Sequence, residues 1–128
     1  MQKDIKLLLK RSYLPIAVII TITIAFLSLI KLGKQPINIS HLDKIEHLIA
    51  YCSLGISWLL TFRENKKIMY KNYLIVLVCV FYGIIIEVLQ TTLTTYREAS
   101  ILDIVANTAG VLLALLIFNK VFEKKQAI

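Results

Sequence analysis

The sequence predicts an all-α, polytopic membrane protein of four transmembrane helices, with both termini in the cytoplasm. Three observations lead there. The chain is 58% apolar over 128 residues, with a mean hydropathy of +0.74, where a soluble domain carries roughly 45–50%. Its apolar residues fall into four runs of near-helical membrane length. Its basic residues fall in clusters between those runs. At this length there is room for a single domain, spanning 1–128.

The first run, Ser12 to Ile30, has 19 residues without a charge, close to the ~20 that cross a bilayer core as a helix. Lys3, Lys6, Lys10 and Arg11 precede it, and Pro15 is expected in its first turn, where a missing N–H matters least. The run is too long for a signal-peptide core, and no small-x-small cleavage site follows it. Lys31 to Lys44, with Gly33, Pro36 and Asn38, reads as a connection. The N-I-S triplet at Asn38 is a chance match to a glycosylation acceptor.

The second run, 45–62, is the least pure, with Glu46, His47 and Tyr51 in its first two turns. A basic loop follows, with Arg63, Lys66, Lys67 and Lys71. The third run, 73–91, is rich in β-branched residues. Its 19 residues favour a membrane helix over a strand. The fourth, 101–119, carries Ala106, Gly110 and Ala114 at four-residue intervals, a small-residue stripe for close helix approach. Cys52 and Cys79 fall at different depths and are expected as free thiols, since a disulfide needs Cα atoms within about 7 Å.

Orientation follows from the basic residues. With the N terminus inside, the cytoplasm receives four before the first helix, four in the 63–71 loop and three at the C terminus. Only Lys31, Lys34, Lys44 and Arg97 face out. Tyr13, Phe62, Tyr70 and Tyr73 then lie near the inner interface and Tyr96 near the outer. The net charge of +7 is thus explained by topology, and no nucleic-acid partner is expected; no RNA-binding aromatic motif is present either.

This arrangement gathers the polar residues in one outer layer. At ~1.5 Å per residue, Glu87 lies about 6 Å, Asp103 about 3 Å and Asn107 about 9 Å from the outer ends of their helices, with His47 and Tyr51 at about 3 and 9 Å. Asp43, His47 and Tyr51 recur every four residues, Asp103 and Asn107 are four apart, and Glu87 and Gln90 three apart, so each set shares a helix face. Insertion scales assign a central charge roughly 2.5–3.5 kcal/mol, and each Leu, Ile, Val or Phe returns about 0.3–0.6. The third helix tolerates Glu87 but does not need it. A partner is expected among Arg97, Lys44 and His47.

Intramembrane ionisable residues mark functional sites by default. The bland alternative is a cluster that only holds helices in register. Asp43, His47, Glu87 and Asp103 offer one nitrogen and several oxygens, but with one well-placed histidine and no histidine pair at ligand spacing, no metal or other cofactor is expected. A channel needs polar groups through the full depth, and the inner halves of the last three helices lack them.

The stretches DKIEHLIAYCSLG, with Asp43, Lys44, His47 and Tyr51, and YGIIIEVLQ followed by REASILDIVANTAG, with Glu87, Gln90, Arg97, Ser100, Asp103, Asn107 and Gly110, resemble the two signatures of VanZ-like membrane proteins. The resemblance implies a small polytopic bacterial membrane protein, and no additional domain is expected in this chain. The family's founding member is linked to low-level resistance to teicoplanin, a glycopeptide carrying a fatty-acyl chain. Two functional readings follow. In the first, an extracytoplasmic pocket binds a membrane lipid, a lipid-linked cell-wall precursor or a lipoglycopeptide, using Asp43, Lys44, Tyr51, Gln90, Arg97, Ser100 and Asn107. In the second, an enzyme modifies a lipid headgroup, with His47 as base oriented by Asp43, and Glu87 or Asp103 as acid. A third possibility is a structural partner of another envelope protein.

The topology makes a direct prediction. A thiol introduced as Thr95→Cys labels with an impermeant reagent in intact cells, and one introduced as Asn65→Cys does not. The reverse pattern moves the polar layer to the cytoplasmic face.

Overall fold

The computed structural model describes residues 2–29, 40–63, 70–93 and 101–123, all of them helical or in tight turns. Four long helices make up the fold: α1 (Gln2–Leu29), α2 (Ser40–Thr61), α3 (Lys71–Leu93) and α4 (Ile101–Phe118). A π-helical turn, Asn119–Glu123, continues α4.

The helices run longer than their apolar stretches. α1 takes in the basic N-terminal segment, so Pro15 lies inside the helix rather than in its first turn. There it removes one i→i−4 hydrogen bond. α2 starts at Ser40, which makes Asp43 and Lys44 helical rather than part of a connection. Hydropathy marks the part of a helix that meets hydrocarbon, whereas lysine and glutamate propagate a helix as readily as leucine.

A second correction concerns the number of spans. Among the described residues three helices, not four, are apolar and long enough to cross a membrane: Ser12–Leu29, Lys71–Gln90 and Ile101–Val121. α2 falls short because Asp43, Lys44 and Glu46 occupy its first turns. It is also the helix most enclosed by the others, with Tyr51, Leu54, Ser57 and Leu59 all buried. The outward faces of α1, α3 and α4 expose Ile19, Ile22, Phe26, Leu77, Val78, Val105 and Leu116. So much exposed apolar surface on a small chain requires a lipid solvent. The protein is a membrane protein.

α2 packs most extensively on α4, and the reason is the small-residue stripe. A Cβ built on Gly110 would lie 2.5 Å from the Leu48 carbonyl oxygen and 3.1 Å from the Cys52 nitrogen. One turn on, a Cβ on Gly55 of α2 would lie 2.7 Å from the Ala114 Cβ. The two backbones therefore touch, as small-xxx-small stripes allow. Ile24, Tyr51, Leu54, Cys79 and Val111 form the apolar core beside this contact. Cys52 and Cys79 are free thiols, as expected.

α1 is fastened differently. Trp58 Nε1 donates to Thr21 Oγ1 at 2.9 Å, and Thr21 Oγ1 donates to the Ala17 carbonyl at 2.7 Å. The Tyr82 hydroxyl donates to the Thr21 carbonyl at 2.5 Å. Thr21 thereby joins α1 to both α2 and α3. Just past the same end of α2, Lys71 Nζ donates to the carbonyls of Phe62 and Arg63 at 2.8 and 2.7 Å, satisfying acceptors left over at a helix C terminus.

The α2/α4 contact sets a test. Gly110→Val forces the helices apart and lowers stability by about 1–3 kcal/mol, the usual penalty for overpacking. Ala109→Val, on the exposed side of the same helix, leaves it within about 0.5 kcal/mol. Thermal unfolding in detergent distinguishes the two.

Candidate functional site

Three helices bring polar side chains together at one end of the bundle. From α2 come Lys44, His47 and Tyr51; from α3, Glu87; from α4, Asp103 and Asn107. Glu87 has no exposed surface, Tyr51 and Asn107 are 2% exposed, and Asp103 is 9% exposed. One ligand atom each from His47, Glu87 and Asp103 lies within 4.8 Å of the other two.

His47 is the hub. Its Nδ1 lies 2.9 Å from the side-chain amide oxygen Oδ1 of Asn107. An amide oxygen only accepts, so Nδ1 carries the hydrogen and the other ring nitrogen faces inward. That nitrogen, Nε2, lies 3.9 Å from Asp103 Oδ2. Lys44 Nζ approaches the other carboxylate oxygen, Oδ1, at 3.8 Å. Asp103 thus stands between a half-exposed ammonium and a nearly buried imidazole, with one oxygen toward each.

Tyr51 and Asn107 share a floor one turn below Glu87. A Cβ built on Gly83 would lie 3.1 Å from the Tyr51 ring and 3.3 Å from the Asn107 Cβ. Any side chain at 83 would press into both, so the glycine lets α2 and α4 close on α3 at this level. The Tyr51 ring also packs on Tyr82, with centroids 6.3 Å apart. Gly83 was not singled out from sequence. Its signal is a glycine inside a β-branched helical run four residues before a buried carboxylate.

The sequence-predicted residues divide into three groups. His47, Tyr51, Glu87, Asp103, Asn107 and Lys44 are brought together. Gln90 turns toward α1, where its amide donates to the Ser28 carbonyl at 2.9 Å. Asp43 lies in the first turn of α2, but its side chain, like the whole of Arg97 and Ser100, falls outside the described residues. Of the expected partners of Glu87, His47 is within reach and Lys44 pairs with Asp103 instead.

A family model described as VanZ/LLP1 matches residues 5–123. The chain belongs to the VanZ/LLP1 family. No curated protein and no solved structure matches it. The VanZ match covers nearly the whole chain, so the residues of the polar cluster and the helices that carry them all fall within the family unit.

A separate groove of about 310 Å³ lies toward the opposite end of the bundle, lined by Leu54, Trp58, Leu74, Ile75, Val78 and Tyr82 among others. Its lining is almost wholly apolar, and Thr21, Trp58 and Tyr82 hydrogen-bond among themselves and to the α1 backbone. It presents no carboxylate or imidazole, and its one thiol, Cys79, is buried. The ionisable side chains Lys44, His47, Glu87 and Asp103 meet instead in the cluster.

The cluster's contacts differ in weight. The Lys44–Asp103 pair is long and partly exposed, so Lys44→Met costs at most about 1 kcal/mol. Asn107→Ala leaves the nearly buried His47 donor without its acceptor and costs about 1–3 kcal/mol. Unfolding of both variants in detergent should rank them in that order.

Proposed function

We propose that this protein acts at the outer leaflet of a bacterial cell membrane, where the polar cluster binds the anionic headgroup of a lipid-linked envelope component or a lipoglycopeptide. In this reading α2, which is not apolar enough to span alone, crosses the membrane packed against α4, α1 and α3, both termini are cytoplasmic, and the cluster opens outward. Lys44 and Arg97 hold a phosphate or carboxylate by charge-assisted hydrogen bonds, and His47, Asp103 and Glu87 orient it. Teicoplanin-type resistance follows if the bound component is the drug or its target.

The observation that carries this reading is Glu87. A carboxylate with no exposed surface sits in a largely apolar helix, and any Leu or Val there would insert better. It faces an imidazole and a second carboxylate delivered by two other helices. A cluster serving only helix register would be served as well by neutral amides or hydroxyls. The small-residue stripe already supplies close packing of α2 on α4.

A second reading, catalysis on a lipid headgroup, draws on the oriented imidazole. With Nδ1 held by Asn107, His47 Nε2 is the nitrogen placed to act as a general base, and Asp103 and Glu87 stand beside it. Mass spectrometry of lipid extracts separates the two. A changed headgroup profile in expressing cells establishes turnover, and an unchanged profile alongside a resistance phenotype establishes binding.

Lipoglycopeptide susceptibility tests the site itself. Glu87→Gln and Arg97→Ala, at wild-type protein level, each lose at least half of any protection the wild-type protein confers. Full protection by both sinks the outer pocket.

A further inference from the structure

The cluster described above contains a gap that direct contacts do not explain. His47 Nε2 and Asp103 Oδ2 face one another at 3.9 Å, beyond the 2.7–3.2 Å or so of an N–H···O hydrogen bond. Two ligands bound tetrahedrally to one ion at bonds of ~2.0–2.1 Å lie about 3.4 Å apart. The pair is therefore closer to the spacing of two ligands of one metal than to that of a hydrogen-bonded pair. A carboxylate oxygen of Glu87 lies within 4.8 Å of one ligand atom from each of His47 and Asp103.

We propose that His47 Nε2, Asp103 Oδ2 and Glu87 together hold one divalent transition-metal ion of the zinc type, with a fourth position open to water or to an oxygen of the bound headgroup. Imidazole nitrogen and carboxylate oxygen are donor types such ions take, and the presence of a nitrogen disfavours magnesium.

Three features outside the ligand set support it. First, Asn107 accepts the Nδ1 hydrogen of His47. This is the outer-shell contact that fixes a metal-binding histidine in the correct tautomer and rotation. Second, Lys44 approaches Asp103 through Oδ1, which leaves Oδ2 for the ion. Third, the Tyr51 hydroxyl and Asn107 Nδ2 are buried, and neither has a hydrogen-bond partner among the described residues. Tyr51 lies within electrostatic reach of Glu87, and Asn107 Nδ2 lies at the Gly83 floor beside the Tyr51 ring. Both are buried donors that a metal-bound water or ligand oxygen satisfies.

Charge also balances. Glu87 and Asp103 carry two negative charges and Lys44 one positive charge. Adding a divalent cation leaves the described groups at +1, matched to a singly charged phosphodiester. The ion thus gives the proposed headgroup site a reason to select phosphate, although metal binding itself does not depend on that reading.

The full chain, purified in detergent and stripped with a chelator, is titrated with Zn²⁺ by calorimetry and with Co²⁺ by visible absorption, without added lipid. The wild-type protein takes up one equivalent. Glu87→Gln, Asp103→Asn and His47→Gln each weaken binding at least 100-fold, and Asn107→Ala weakens it about 10–100-fold as an outer-shell change. Variants are compared only where Trp58 fluorescence and helicity match the wild type. Failure of stripped wild-type protein to bind overturns the proposal. So does full binding by the Glu87/Asp103/His47 triple variant, or an intense cobalt–thiolate band assigning the ion to Cys52 or Cys79. With no lipid present, a negative result removes the metal and leaves the headgroup reading untouched.

Discussion

The backbone contact between α2 and α4 is the constraint on which the rest depends. Gly110 has no side chain because the Leu48 carbonyl occupies the place where one would go. Leu48 is the neighbour of His47, and Gly110 follows Asn107 by three residues. The 2.9 Å hydrogen bond between His47 and Asn107 therefore exists only while the helices stay at this separation. A larger residue at 110 would act on the site without touching it, by moving α2 outward. The imidazole would then lose its orientation before the fold lost its core.

Burial makes the polar contacts all-or-nothing. In a low-dielectric site the attraction between charges is strong, but so is the penalty for removing one member and leaving the other. Asp103 illustrates this. Its outward oxygen meets Lys44, which is partly exposed, while its inward oxygen meets His47, which is nearly buried. The outward pair is screened and exchangeable. The inward contact is coupled to Glu87, Asn107 and the floor at Gly83, so a change at any one of these shifts the environment of the others. Three helices are bound to one another through a set of groups that none of them needs in order to be a helix.

Much of this was legible in the sequence because membrane residues carry their information in spacing. The i,i+4 pairs His47/Tyr51 and Asp103/Asn107 do share a face, and Gly110 and Ala114 do mark the closest helix approach. Spacing failed where it was loose. A step of three rotates about 60° from the starting direction, which is enough to turn Gln90 from the Glu87 face to Ser28 of α1. It also failed where residue type carried no signal. Thr21 reads as one more small residue in an apolar run, yet it receives Trp58 and passes its carbonyl to Tyr82. The proposed metal ligands were named from sequence among Asp43, His47, Glu87 and Asp103 but set aside, because they come one from each of three helices and form no motif along the chain. The spans apolar enough to stand alone were overcounted because the length of the second run was allowed to outweigh the polar residues noted in its first turns.

That overcount points to the relation between the site and insertion. α2 is the helix least suited to lipid and the most enclosed by its neighbours, and it is also the one that carries Lys44, His47 and Tyr51. Replacing those residues with leucine would give a better transmembrane helix and remove three of the six side chains that meet at the cluster. The sequence keeps the poorer helix. Its polar turns become tolerable only when α4 and α3 close over them, since Asn107 and Asp103 then supply partners that lipid cannot. Assembly of the cluster and stable placement of α2 are thus one event. A site under no functional demand would drift toward the apolar solution, because most natural proteins hold locally unfavourable residues where activity requires them and compensate elsewhere in the fold.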